Sequence, residues 1–243
     1  MAALEEAIVA IRQRRPRRVV VFTGAGVSAD SGIPTFRGPH GLWRNFRSED
    51  LATPEAFTRD PKLVWEWYEW RRDLIRKAQP NAAHASIARL ADAVVVTQNV
   101  DGLHARAGSQ NVIELHGNIF RVRCVREGVV SVREDPFAAS PPHCECGALL
   151  RPDVVWFGEM LPEDALARAS SAIMAADLLL VIGTSGVVYP AAGLVSLSRG
   201  LSIEINPEAS ALSSACTFAI PLRAADATPL LIRDSGLGIR DSG

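Results

Sequence analysis

Polar residues gather where the apolar runs of this chain stop. The run at 93–97 (AVVVT) gives way to Gln98, Asn99 and Asp101, and the run at 112–115 (VIEL) to His116 and Gly117. Two further runs, 178–182 (LLLVI) and 201–205 (LSIEI), are followed by Gly183, Thr184 and Ser185, and by Asn206 and Glu208. Amides, hydroxyls and carboxylates at four successive strand ends suit a ligand rich in ribose hydroxyls and phosphates. A histidine in that company has a specific use. An imidazole with a pKa near ~6.5 takes a proton from a hydroxyl close to neutrality and returns it later. Of the five histidines, only His116 directly follows a predicted buried strand.

The run at 19–22 (VVVF) leads into residues 24–37, GAGVSADSGIPTFR. Gly24 and Gly26 adopt backbone angles closed to other residues and let main-chain N–H groups approach a pyrophosphate, and Ser28 is placed to cap a helix whose dipole favours negative charge. Ser31, Gly32, Ile33 and Pro34 stop that helix early, and Phe36 and Arg37 add an aromatic ring and a permanent cation.

Two other groups carry chemistry. Tyr68 and Arg71 are three apart and share a face of a predicted helix, where a phenol beside a guanidinium makes a fork for a carboxylate; the plainer alternative leaves Arg71 and Arg72 exposed beside Glu66 and Glu69. Cys124, Cys144 and Cys146 fall in one window, with Glu127 three residues after the first and His143 three before the last. Three thiolates with either His143 or Glu127 complete a tetrahedral zinc set, whereas Cys216 is remote and reads as a buried strand residue.

These residues need a frame. Runs apolar on both faces belong in a parallel sheet covered by helices, and helical patterns at 82–90 and 163–175 lie between them, with a shorter one at 7–15. The fold class is α/β, a Rossmann-like parallel sheet with helices on both faces. Residues 1–37, 81–118 and 152–234 are assigned to that layer. Residues 38–80, helical and rich in aromatic rings, and 119–151, which hold the cysteines, form a smaller helical and zinc-ribbon-like module. In the tail, residues 235–243, the IRDSG of 232–236 recurs, and this segment is expected to be loosely ordered.

Composition sets bounds. The 243 residues are 48% hydrophobic and 22% charged with a net charge of −1, which gives no electrostatic footprint for nucleic acid or an anionic membrane. No apolar stretch approaches the ~18 residues a bilayer requires, and acids stand near Met1 where a secretory signal carries bases. A cytoplasmic protein is expected, and in a reducing compartment clustered cysteines indicate a metal site more than disulfides. Oligomeric state is not fixed by these features.

In order and spacing, GAGVSADSGIPTFR, TQNVDGLH, ELHG, the FGE of 157–159, GTS and the late NPE resemble the sirtuin family of NAD-dependent protein lysine deacylases, over about residues 19–231. The resemblance implies that Gly24, Ala25, Gly26, Ser28, Ile33, Phe36 and Arg37 line the NAD pocket, that Gln98, Asn99 and Asp101 surround the nicotinamide ribose, and that Gly183, Thr184, Ser185, Asn206, Glu208 and Ala224 hold the adenosine half. It implies His116 as catalytic base, with Asn99 and Asp101 beside it, and free lysine, nicotinamide and 2′-O-acyl-ADP-ribose as products. Acyl-lysine proteins are the implied substrates, contacting Val154, Phe157, Gly158, Glu159, Gly186 and Val187 as an added strand. The run from Thr53 to Arg72 is similar to the sirtuin branch that removes succinyl and malonyl groups, in which the residues matching Tyr68 and Arg71 bind the acyl carboxylate. Most sirtuins have two Cys-x-x-Cys pairs, and both are broken here. NAD hydrolysis or ADP-ribosyl transfer, and NAD sensing without catalysis, are the rival readings; dependence of nicotinamide release on an acyl-lysine peptide separates them from deacylation.

Overall fold

The computed structural model describes residues 1–35 and 46–240, so Phe36 and Arg37 lie outside the described residues. Helix α1 (Ala2–Arg14) precedes strand β1 (Val19–Thr23), and a 3-10 helix follows at Ala25–Ser31. Helices α2 (Ser48–Leu51), α3 (Pro54–Arg59), α4 (Pro61–Lys77) and α5 (Ala82–Arg89) come before β2 (Val94–Thr97), α6 (Leu103–Arg106) and β3 (Asn111–Glu114). Strands β4 (Gly117–Cys124), β5 (Val130–Val132) and β6 (Leu150–Val154) come next, then α7 (Glu163–Ala175) and β7 (Leu178–Ile182). A second 3-10 helix at Ala191–Leu197, β8 (Leu201–Ile205), β9 (Phe218–Ile220) and α8 (Ala224–Ser235) complete the chain.

The expected parallel sheet is present, in the order β3-β2-β1-β7-β8-β9. Strands add outward in one direction from β1 and in the other from β7, so the order reverses between those two, which is where doubly wound sheets open a ligand crevice. Register makes the crevice even. Thr23 pairs with Thr97 and Ile182, Thr97 with Glu114, Ile182 with Ile205, and Ile205 with Ile220, so all six strands end in one row. The ladder runs one residue beyond that row: Gly24 N–H donates to Ile182 O, Gln98 to Thr23, Leu115 to Thr97, Gly183 to Ile205 and Asn206 to Ile220.

Alternate side chains of each strand feed two cores. Val19, Val21, Val95, Leu180 and Ile203 pack with α1, α5 and α8. Val20, Phe22, Val96, Leu179 and Val181 pack with α7 and the second 3-10 helix. A third core lies off the sheet, where Trp65, Trp67, Tyr68 and Ile75 of α4 meet Ile119, Val122, Leu150 and Trp156. Asp60 starts α4 by accepting the Leu63 N–H at 3.0 Å, with Pro61 in the first turn, both standard devices for a helix start.

Several boundaries differ from expectation. Helix α1 starts at Ala2 and not near residue 7. The cysteine-bearing excursion is an antiparallel sheet ordered β5-β4-β6, in which β4 begins at Gly117 and β6 reaches Val154, both within segments assigned to the NAD layer. The tail is tied down as far as Arg240: Leu237 is buried, Ala91 N–H donates to Gly238 O, and Arg240 N–H donates to Arg89 O. Cys216 lies in the turn before β9 and not within a strand.

The excursions are joined by Arg72, whose side chain is 0% exposed. Its guanidinium donates to the carbonyls of Ile119, Arg133 and Asp135 and pairs with Glu69 at 2.8 Å. Phe120 and Phe137 cover it, with ring centroids 5.3 and 5.1 Å from the guanidinium carbon. Arg72→Met keeps the volume but leaves those carbonyls unmatched and Glu69 with Arg76 alone, 3.4 Å away, and a loss of about 3–5 kcal/mol in urea unfolding is expected. A loss under ~1 kcal/mol would mean that other contacts join the two segments.

Candidate active site

The strand-end residues meet in a buried hydrogen-bond network centred on Ser28. Ser28 Oγ donates to Asp101 Oδ2 at 2.7 Å and accepts from Asn99 Nδ2 at 3.1 Å. His84 Nδ1 accepts the Asn81 N–H at 3.3 Å, which assigns the ring proton to Nε2, 3.4 Å from Ser28 Oγ. The hydroxyl thus uses its one donor and both acceptor positions. Ser28 was expected to cap a helix; instead it sits inside the 3-10 helix, whose N-cap is Gly24, and ties this loop to the end of β2.

The glycines also act differently from expectation. Gly24 has an ordinary extended φ of −126°. The Gly24 and Gly26 N–H groups are committed to Ile182 O and Gly183 O, at 3.1 and 2.8 Å, so they are not donors for an anion. What demands glycine is the approach of two backbones: a Cβ on Gly26 would lie 2.8 Å from Gly183 Cα, and one on Gly183, at φ +62°, would lie 2.3 Å from Val27 N. The loops after β1 and β7 are pressed together at the point where strand order reverses.

His116 follows β3 and is half-buried. Its Nδ1 lies 2.8 Å from Gln98 O. A carbonyl only accepts, so Nδ1 carries the proton and Nε2 keeps the lone pair needed by a base. Burial lowers the His116 pKa and the Gln98 carbonyl opposes that shift, favouring a neutral ring at rest. Gln98 Nε2 donates to Thr184 Oγ1 at 3.0 Å and Asn206 Nδ2 to Thr184 O at 2.9 Å, linking the loops after β2, β7 and β8. Ala25 and Ser185 are half-buried, Glu208 is exposed, and Ala224 is buried at the start of α8.

Asp101 is buried, and desolvation raises its pKa; the Leu103 N–H, Ser28, Arg71 and Arg106 favour its charge. Arg71 is half-buried, 5.3 Å from the Trp67 ring centroid. Burial lowers its pKa, while Tyr68 and Asp101 favour its charge. Tyr68 is buried and accepts from Trp156 Nε1 at 2.9 Å. The plainer alternative of two exposed arginines fails at Arg72. Ile33 packs in the same core as Tyr68.

On the expected peptide face, Val154 is buried, while Phe157, Met160 and Val187 stand exposed. Gly158 and Gly186 take positive φ values. The Glu159 carboxylate is committed: it receives both Arg151 amines, at 2.6 and 2.8 Å, and the Trp156 N–H at 2.9 Å, so its side chain holds the loop's shape.

The thiols form a cluster. Cys124 and Cys146 Sγ are 3.5 Å apart, Cys144 Sγ is 3.7 Å from Glu127 Oε2, and the four ligand atoms lie within 4.8 Å of one another. Tetrahedral bonds of ~2.3 Å to sulfur give separations of this order. His143 is exposed and outside the cluster, so of the two fourth ligands expected the geometry presents Glu127.

Three buried polar residues that shape the crevice carry no sequence signal of their role. His84, in α5, and His104, in α6, are both buried, with ring centroids 4.8 Å apart. Thr23 Oγ1 donates to Thr97 Oγ1 at 2.8 Å, so His104 Nε2 donates to Thr23 at 3.0 Å, and Thr97 Oγ1 also accepts the Asn99 N–H. Glu204, read as one residue of an apolar run, is buried and accepts from the Ser210 and Ser213 hydroxyls, shaping the loop that carries Asn206 and Glu208. Nothing in the spacing marks it except a lone acid inside LSIEI.

A doubly wound sheet with a polar crevice at its reversal point, and an imidazole whose basic nitrogen is set by a backbone carbonyl, are the marks of a dinucleotide-using enzyme. The Sir2 family profile matches residues 24–190, and the chain belongs to that family. It is 52% identical over 227 residues to NAD-dependent protein deacylase 2 of Pyrobaculum aerophilum, covering 90% of this chain and 91% of that one. Its fold matches a mutant Sir2 homologue in complex with 2′-O-acetyl-ADP-ribose at TM-score 0.89 and 46% identity, over 95% of this chain and 96% of that one. It also matches a Sir2–p53 peptide–NAD+ complex at TM-score 0.83 and 34% identity, over 94% and 97%. Among the described residues no helix is long and apolar enough to cross a membrane.

The buried imidazoles give a pH test. Burial pushes His84 down to about 4, and burial followed by the neighbouring His84 pushes His104 down to about 3. In the unfolded chain both bind protons from ~6.5 downward, so the stability they confer is complete above that pH and is lost as the pH falls toward 4 and then 3. Asp101, raised by burial, works in the opposite sense. Imidazole NMR should find two of the five rings neutral to below pH 5 while the protein stays folded. Five rings titrating near ~6.5 would refute the buried pair.

Proposed function

We propose that the protein is an NAD-dependent protein-lysine deacylase that removes succinyl and malonyl groups, and acetyl groups in addition, releasing free lysine, nicotinamide and 2′-O-acyl-ADP-ribose. Family membership, the deacylase relative and the product and peptide complexes of its neighbours support the general activity. One observation carries the acyl preference: Arg71, partly withdrawn from water beside Tyr68 and near Asp101. Desolvating a guanidinium is costly, and a carboxylate at the end of an acyl chain supplies the charge-matched acceptor it favours.

The crevice fits NAD by its place at the strand-order reversal and by the loops that meet there. The loops of Gly24, Ala25, Gly26, Ser28 and Ile33, with Phe36 and Arg37, hold the pyrophosphate side in this proposal. Gln98, Asn99 and Asp101 hold the nicotinamide ribose, and Gly183, Thr184, Ser185, Asn206, Glu208 and Ala224 the adenosine half. NAD supplies the nicotinamide–ribose bond whose cleavage leaves a positive sugar carbon for the acyl oxygen to capture. His116 Nε2 then takes the proton of a ribose hydroxyl, and the Nδ1–H bond to Gln98 O keeps the ring oriented as its charge appears. Val154, Phe157, Gly158, Gly186 and Val187 border the polypeptide, Glu159 acting through backbone only. Cys124, Cys144, Cys146 and Glu127 would hold a zinc ion, which would stabilise the antiparallel sheet rather than enter the chemistry.

Two tests follow from these roles. His116→Tyr should abolish turnover while NAD still binds, and in the unmodified enzyme kcat/KM should fall on the acid side with an apparent pKa below ~6.5; normal turnover in the variant would remove the base. Arg71→Met should cut kcat/KM on succinyl-lysine peptide by about tenfold to a hundredfold, the value of a charge-assisted hydrogen bond, with a loss under ~3-fold on acetyl-lysine. Equal losses on both would leave Arg71 without a role in acyl selection.

A further inference from the structure

We infer that the cleft between α3 and the β4–β5 hairpin is a second contact site for the substrate polypeptide, selecting an acidic residue that flanks the acylated lysine. The inference rests on the reading of the protein as a deacylase of polypeptide substrates and adds a specificity surface to it.

The cleft is an open cavity of about 500 Å³, with Phe57 and Trp156 lining it alongside Arg123, Arg126 and Arg151. Two of those residues connect it to the acyl site. Trp156 donates from Nε1 to the Tyr68 hydroxyl, so one indole separates the cleft from the proposed carboxylate fork. Arg151 lies 3.5 Å from the Trp156 ring centroid and grips Glu159 with both amines. Glu159 belongs to the loop on which Phe157 and Met160 stand exposed, Met160 at 85%. A chain laid along that loop therefore passes the side of the cleft.

Charge around the cleft does not cancel locally. Arg123 is paired with Asp153 at 2.5 Å and Arg151 with Glu159 at 2.6 Å. Glu127, the acid that lines the cleft itself, reaches the thiol cluster, 3.7 Å from Cys144 Sγ. Arg126 is exposed, donates at 3.0 Å to the Cys146 carbonyl and makes no ion pair among the described residues. Its five donors are more than one carbonyl uses. An unmatched guanidinium at the mouth of an open cleft with aromatic walls is complementary to a glutamate or aspartate on an extended chain, whose methylenes cover the rings while its carboxylate meets the cation. An enclosed small molecule fits less well, because such ligands lose most of their surface on binding and this cleft is open.

The test is a walk of one glutamate, or one lysine, through each position flanking an acyl-lysine in an otherwise uncharged peptide, with kcat/KM measured for the wild type and Arg126→Glu. At one register glutamate should raise kcat/KM by about two- to fivefold, the value of an exposed ion pair, and the gain should shrink in ~0.5 M salt. Arg126→Glu should transfer the preference to lysine at that same register and leave the uncharged peptide unaffected. No preference at any register, or one that survives the charge reversal, would overturn the inference. Should the uncharged peptide also suffer because the Cys146 contact is disturbed, Arg126→Gln must abolish the preference with normal turnover of that peptide, and retention of the preference refutes the site. If no acyl-lysine peptide is turned over, the deacylase reading fails first. Fluorescence anisotropy of labelled glutamate and lysine peptides then tests the cleft alone, with the same ordering and the same reversal required.

Discussion

Ser28 gives its proton to Asp101 and takes one each from Asn99 and His84, and with those bonds it joins segments that reach the crevice by different routes. The loop after β1, the loop after β2 and the first turn of α5 are fixed to one oxygen. Removing that oxygen would leave the Asn99 amide and the His84 Nε2–H without their partner and Asp101 with the Leu103 N–H alone, in surroundings where unpaired polar groups are costly. The arrangement fixes the orientations of Asn99 and Asp101 in the loop just beyond β2. It also explains why burial raises Asp101 less than isolation would, since two donors and two cations favour its charge.

The second constraint is steric. Gly26 and Gly183 bring the loops on the two sides of the strand-order reversal into backbone contact, and Thr184 continues the contact by accepting from Gln98 and Asn206. The crevice therefore has a rigid floor assembled from four loops. Its preorganisation comes from the row in which all six strands end, because each loop begins with an N–H already bonded to the last carbonyl of its neighbour. A site built this way incurs little ordering entropy when a long, flexible dinucleotide arrives.

Much of this was legible from residue order. Five apolar runs became β1, β2, β3, β7 and β8 with ends shifted by at most one residue. Strands β1, β7 and β8 are buried on both faces, so composition alone marks them. The polar strand ends marked the crevice for the same reason. What sequence left out depends on side-chain direction and on distance across the fold. Ser28 could be a cap or a hub, and only the position of Asp101 decides. His84 and His104 are ordinary helix residues until the sheet stacks them beneath Thr23 and Ser28. Glu127 and His143 are equivalent by spacing, but the turn that brings Cys144 and Cys146 to Cys124 leaves His143 in solvent. The tail repeat looked unstructured because a short polar motif gives no sign that Leu237 fills a gap beside α5.

The two halves of the proposed chemistry communicate through Asp101. On one side its carboxylate receives the Ser28 hydroxyl within the crevice; on the other its charge favours that of Arg71, which stands beside Tyr68 on α4. The guanidinium is thus poised between an internal carboxylate and one carried in by the substrate. A negatively charged acyl group that engages Arg71 draws the cation's field toward itself and leaves Asp101 less compensated, which strengthens its demand on Ser28 and the Leu103 N–H. A neutral acyl group leaves the Arg71–Asp101 interaction as it was. Under the proposed chemistry the nature of the acyl chain would be felt at the Ser28–Asp101–Asn99 network through one buried acid.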